Sequence, residues 1–314
     1  MKNYFKTYAF ISSTILLLVC SNLISGCKSN QKITNISETP KTVDSLKKSL
    51  PPQYKKSYTL EDYFLDNEHL DSLTKSIAAK LSESEKISQM IISSAGKYGR
   101  SKSELNDLIR SKIIGGVVFL GGEKEEIKSI TNHYISLSDS LKTVPLLFST
   151  DAEPSLINQK ILGIFKFNPT NTIKDVTQCE EISEKISNIL SSLHITQNYA
   201  PVCDLNINKE IISDRSFSNK DSVIIKLAST FIKSSQSKNI IATAKHFPGH
   251  GNVKGDSHKE PVSINGELKE LNIFKNAIDS GVISIMVGHI IIQDNPKYST
   301  DNLPSTLSSK ILKS

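Results

Sequence analysis

Pro145-Leu146-Leu147-Phe148-Ser149-Thr150-Asp151-Ala152-Glu153 decides the fold. A short apolar run, as expected of a strand buried on both faces, ends abruptly in two carboxylates. The same arrangement recurs along the chain. Gln197–Cys203 runs into Asp204, Ile240–His246 into Phe247-Pro248-Gly249-His250-Gly251, and Ser284–Ile290 contains Gly288-His289 near its end. Gln89–Ser93 and Gly115–Leu120 are two further strand candidates. Between them lie longer amphipathic, charged stretches, Lys102–Ser111, Glu123–Leu137, Ile173–Leu193, Asp221–Ser237 and Leu268–Ser280. Alternation of this kind demands a parallel α/β sheet with right-handed crossovers. Charged residues at successive strand ends favour a (β/α)8 TIM barrel, because a doubly wound sheet gathers them at one switch point. The chain supplies about six of the eight βα units of a closed barrel. No GxGxxG follows the early strands, so dinucleotide binding has no support.

The composition agrees with a globular enzyme-sized domain. The 314 residues are 38% apolar and 6% aromatic, with 38 basic against 32 acidic residues and a net charge of +6. No basic run of five residues occurs, so a nucleic-acid partner is not expected. Collagen, coiled coil and a polytopic membrane protein are excluded by composition and by the single long apolar run.

That run is read as an address. Lys2 and Lys6 precede an apolar stretch from Ala9 to Cys20, too short for a comfortable span, followed by Leu23-Ile24-Ser25-Gly26-Cys27. Small residues before a cysteine resemble a bacterial lipoprotein box, which makes Cys27 the lipidation site and the lipid bilayer a partner. Lys28 after the cysteine favours outer-membrane sorting, with the domain lipid-anchored in the cell envelope and facing the periplasm. The expected organisation is a signal peptide over 1–26, a polar tether over 27–56 and the barrel over 57–314. Cys179 and Cys203 remain as two buried thiols or, less simply, a disulfide.

The densest chemistry lies in Lys245–His258, KHFPGHGNVKGDSH. Gly249, Gly251, Gly255 and Pro248 make this a loop. Asp256 and His258 are two apart, so in extended backbone they share a face and the carboxylate can orient the ring. Such a pair is a general acid/base on a loop able to close over a substrate. A metal site built from His246, His250, Asp256 and His258 is the competing reading, disfavoured because Pro248 prevents the helix that an i, i+4 histidine pair needs. His69, His133 and His194 receive no role.

KHFPGHG followed by DSH resembles the signature of glycoside hydrolase family 3, in its β-N-acetylhexosaminidase branch. Gly115-Gly116-Val117-Val118-Phe119, Asp151-Ala152-Glu153, Tyr199-Ala200-Pro201-Val202, Asp214-Arg215-Ser216-Phe217-Ser218 and Met286-Val287-Gly288-His289 follow the family pattern in order. The resemblance implies a TIM barrel that releases terminal β-N-acetylglucosamine with retention, from peptidoglycan fragments or muropeptides, without a cofactor. It implies His258 as acid/base and Asp256 as its orienting partner. Asp151, Arg215, Lys245 and His246 match substrate-binding positions, and His250 would shape the loop. Two departures stand out. Gln159 occupies the place of a sugar-binding arginine. The family's nucleophilic aspartate, in a motif like Ser-Asp-Asp, is absent. Glu260, Glu267, Glu270, Asp279, Asp294 and Asp301 are poor substitutes. The chain is therefore expected to be a fragment of a longer enzyme. The alternatives are an inactive sugar-binding envelope lipoprotein that keeps the pocket without the nucleophile, and a structural domain of a larger envelope protein.

Overall fold

The computed structural model describes residues 58–257 and 259–313. The expected leader, the whole of the tether with Cys27, and His258 lie outside the described residues.

Six strands form the central sheet: β1 (Ile92–Ala95), β2 (Gly116–Phe119), β3 (Leu147–Thr150), β4 (Gln197–Asn198), β5 (Ile241–Phe247) and β6 (Ser284–Val287). Each pairs in parallel with the next in the chain. The order never reverses, which separates this topology from a doubly wound sheet. The sheet curls as a half-barrel, as the strand-end chemistry implies.

Two helices, α1 (Glu68–Ala78) and α2 (Glu83–Ser88), precede β1, and five return the chain between strands: α3 (Lys102–Arg110), α4 (Lys124–Leu141), α5 (Val176–Ser192), α6 (Asp221–Ser237) and α7 (Leu271–Asp279). Ser82 with Glu85 and Ser101 with Glu104 form reciprocal capping boxes that fix where α2 and α3 begin. The apolar stripes of α4 to α6, including Ile127, Tyr134, Ile186, Leu190, Leu227 and Phe231, are fully buried in the main core. Small residues let α5 and α6 approach closely. Cys179 Sγ lies 3.3 Å from the Leu227 carbonyl, and Ser183 Oγ lies 3.0 Å from Ser235 Oγ.

Three boundaries differ from expectation. β1 starts at Ile92 because the Ser82 capping box carries α2 through Ser88 and makes Gln89 its C-cap. Regular β4 pairing covers Gln197–Asn198; past it Pro201 has no N–H to donate, and single contacts carry the strand on, the N–H groups of Tyr199, Thr243 and Lys245 donating to the carbonyls of Thr150, Ala200 and Pro201 and Val202 bridging to Lys245. The sixth run divides after Val287. Ile290–Gln293 pairs in parallel with Val262–Asn265, a strand the sequence reading lacked, and builds a second core with Val253, Leu268 and Ile311. Phe247 and Val287, the last residues of β5 and β6, pack against it.

Cys179 and Cys203 are free and buried. Burial pushes the Cys179 thiol up to about 12 and raises Cys203 as well, so neither is a reactive thiolate. Among the described residues no helix is long and apolar enough to cross a membrane.

A 3-10 turn, Leu60–Phe64, closes the amino-terminal end of the sheet. The Leu60 N–H donates to Asn239 Oδ1 at 3.0 Å, and the Phe64 ring lies beside Gly281. Asn239 and Gly281 stand two and three residues before β5 and β6.

Candidate active site

The carboxyl ends of β3, β4 and β5 meet in a buried network of charge. Asn198, at the end of β4, clamps the backbone after β3: its Oδ1 accepts from the Ala152 N–H at 2.9 Å and its Nδ2 donates to the Ala152 carbonyl at 3.2 Å. This clamp holds the residues on either side, Asp151 and Glu153. Lys245, 1% exposed on β5, reaches Asp151 Oδ1 at 2.5 Å and Glu153 Oε1 at 3.6 Å. Arg215, from the short turn Ser213–Arg215, places Nε and one terminal nitrogen each 2.8 Å from Glu153 Oε1. Asp151 keeps a side chain 28% exposed, so it alone of the two carboxylates opens to solvent.

A second centre lies beside it. Asp204, fully buried after β4, faces His246 at 2.6 Å from Oδ2 to Nδ1. Its Oδ1 accepts the His250 N–H at 2.7 Å, and its Oδ2 the His246 N–H at 3.2 Å. His250 Nε2 sits 2.9 Å from Ser257 Oγ, and Asn208 Nδ2 donates to the Gly255 carbonyl at 3.2 Å. The loop after β5 is therefore anchored from beneath by Asp204 and laterally by Asn208.

Burial alone would raise both aspartates. At Asp151 the Lys245 charge and hydrogen bond, with weaker help from Lys160 and Arg215, outweigh burial and hold the carboxyl below its ordinary range. At Asp204 the charge and hydrogen bond of His246 and the backbone N–H groups of His250 and His246 do the same. Glu270 has no such cation. Burial, then the charge of Asp204, pushes it up to about 7 against the backbone N–H groups of Leu205, Gly251 and Glu270 itself.

The structure thus brings together Asp151, Arg215, Lys245 and His246, four of the residues expected to bind substrate. Asp256 stands on the same loop, partly buried, with Lys259 Nζ at 3.3 Å; its expected partner His258 lies outside the described residues. Gln159 is exposed in the single turn Ile157–Lys160, and the cationic charge that reaches Asp151 comes instead from its neighbour Lys160. His133 pairs with Asn106 at 2.9 Å and His289 with Thr306 at 2.8 Å, neither within the charge network.

Three participants carried no role in the sequence reading. Glu153 and Asp204 end apolar runs, but their partners stand 62 and 42 residues away. Glu270 carried a usable signal. With Ile273, Phe274 and Ala277 it occupies the i, i+3, i+4, i+7 stripe that faces the core, where a carboxylate is out of place.

Residues 82–314 match the model of the glycosyl hydrolase family 3 N-terminal domain. A β-hexosaminidase of Tolumonas auensis is 29% identical over 208 residues, covering 62% of this chain and 62% of its own length. One from Photobacterium profundum is 28% identical over 215 residues, 63% of each chain. A solved family 3 β-N-acetylglucosaminidase from Paenibacillus superposes with a TM-score of 0.67 at 26% identity, over 74% of this chain and 46% of that one. The chain thus spans a little over three fifths of the curated relatives it matches. The ordered parallel strands, the charged strand ends and these matches together place the chain in glycosyl hydrolase family 3, as an N-terminal domain of that family.

Proposed function

We propose that this domain binds the terminal β-N-acetylglucosamine of a glycan and serves its hydrolysis with retention. The observation that supports this most directly is the pairing of Asp151 with Lys245 at the mouth of the sheet, next to Arg215. A half-open carboxylate paired with the buried Lys245 ammonium can accept from sugar hydroxyls while that cation keeps it ionised. His258 would protonate the leaving oxygen and then deprotonate water, with Asp256 orienting its ring. The β-hexosaminidase names of the relatives support the same substrate class, and peptidoglycan fragments are the proposed source.

A second reading, sugar binding without turnover, is favoured by one observation. Asp151, Glu153 and Asp204 are each already engaged by Lys245, Arg215 or His246. Calorimetric titration with N-acetylglucosamine, together with hydrolysis of an aryl N-acetyl-β-glucosaminide, separates them. Saturable binding with turnover supports the glycosidase. Binding that Asp151→Asn weakens, without turnover, selects the second reading. No binding by the wild-type chain overturns both.

Lys2, Lys6, the apolar stretch from Ala9 and Ser25-Gly26-Cys27 support a further part of the proposal, acylation at Cys27 and residence at an envelope membrane.

A further inference from the structure

Glu270 heads α7 with no exposed surface. Its Oε1 accepts the Leu205 N–H at 3.3 Å, and the Gly251 N–H also points at the carboxylate. The fit around it is tight enough to exclude side chains. A Cβ on Gly249 would lie 2.3 Å from Oε2, and one on Gly251 would lie 2.5 Å from Oε1 and 2.2 Å from the Leu205 carbonyl. Three segments therefore meet on one carboxyl: the chain after β4, the turn after β5 and the head of α7. The residues next to the contact are those of the site. Leu205 follows Asp204, and His250, between the two glycines, donates its N–H to Asp204.

An apolar side chain at this place would fill the same space, as Ile273 and Phe274 do one turn on. A carboxyl here carries a cost, since Oε2 has no hydrogen-bond partner among the described residues and the charge of Asp204 opposes its ionisation. What the carboxyl supplies, and a hydrocarbon cannot, is an acceptor shared by two backbone N–H groups on different loops.

We propose that Glu270 is a positioning residue for the loop that follows β5: its carboxyl sets the Gly249–Gly251 turn against Leu205 and thereby holds the His250 N–H and His246 on Asp204. The activity readout of this proposal rests on the glycosidase reading; its structural readout does not. Glu270→Ala, Glu270→Gln and Gly249→Ala, each in the full chain, test it by amide hydrogen exchange. Glu270→Ala should speed exchange at Leu205 and Gly251 at least tenfold while α6 amides keep their protection. Glu270→Gln, which retains an acceptor oxygen, should restore most of that protection. Gly249→Ala, which keeps the carboxyl but pushes the turn off it, should reproduce the local loss. Unchanged exchange at Leu205 and Gly251 in Glu270→Ala overturns the proposal. So does an equal rise at every amide in both alanine variants, which would mean that Glu270 only stabilises the fold. Where aryl N-acetylglucosaminide is hydrolysed, Glu270→Ala should lower kcat at least tenfold with KM changed less than threefold. A wild-type chain without turnover counts against the glycosidase reading and leaves the exchange result to decide this one.

Discussion

Lys245 meets Asp151 over the top of β4, joining the ends of two strands that are not neighbours in the sheet. Strands lie about 4.8 Å apart, so the pair bridges roughly two spacings and only a long side chain can make it. Its ammonium is also the second cation on Glu153. Removing it leaves one carboxylate half-buried and another, fully buried, with Arg215 alone. Lys245→Met should therefore cost about 3 kcal/mol in urea denaturation, although methionine fits the volume. Asp151→Asn should cost clearly less, because Lys245 keeps Glu153. Equal losses in the two variants would show that the bridge is not the reason.

The acid limb of stability should belong to Asp151 and Asp204. Both carboxyls titrate lower in the fold than in the unfolded chain, near 3.8. Their contribution is present above that value and disappears as pH falls through it into the depressed folded range. The urea midpoint should drop steeply below about pH 4, and Asp204→Asn should make that drop shallower while lowering the midpoint at pH 6. A midpoint with the same acid slope in the variant would assign the effect elsewhere.

Glu270 works with the opposite sign. Its carboxyl rises from 4.5 to about 7 on folding. The folded protein keeps this proton where the unfolded chain has lost it, so the contribution is whole below about pH 4.5 and declines until about pH 7. The full decline is at most on the order of 3 kcal/mol. Stability should thus be greatest near pH 5, and Glu270→Gln should flatten the fall between pH 5 and 7. Parallel pH curves for the two proteins would refute the assignment.

His258 should reveal itself by substrate chemistry. An imidazole titrates near pH 6.5 without tuning, which suits a group that gives and then takes a proton. His258→Ala should slow a disaccharide with a poor leaving group at least a hundredfold more than an activated aryl glycoside, and Asp256→Asn should show a milder version. Equal losses on both substrates would make His258 a binding group.

Cys27 is tested by fractionation. Exchange to alanine should release the protein from membranes and block processing of the leader; unaltered membrane association would end the lipoprotein reading.

How much of this could be read in advance follows from what each feature depends on. The strands are local: Leu147–Thr150 and Ile241–Phe247 are apolar, bounded runs, and α6 begins and ends at the expected Asp221 and Ser237. Even the gathering of charge follows from topology, since parallel strands bring all their carboxyl ends to one side. Pairing is not local. Val262–Asn265 has only two apolar residues, alternating with Ser263 and Asn265, and becomes a strand only by meeting Ile290–Gln293. Asp204 is legible as an acid at a strand end, but its direction toward His246 is a product of the β4–β5 register. Glu270 is legible as a carboxylate after β5, but its contact with Leu205 and the Gly249–Gly251 turn arises only when α7 packs beneath them.

The turn Leu60–Phe64 has a consequence for how the molecule stands. It is fastened by Asn239 and Gly281 to the end of the sheet where strands begin, whereas Asp151, Lys245 and Asp204 gather where strands finish. Chain arriving from before Tyr58 therefore reaches the domain at its foot. On the proposed reading a sugar would meet the strand ends from the side away from that entry, and lengthening or shortening the stretch before Tyr58 should leave access to Asp151 and Lys245 unchanged.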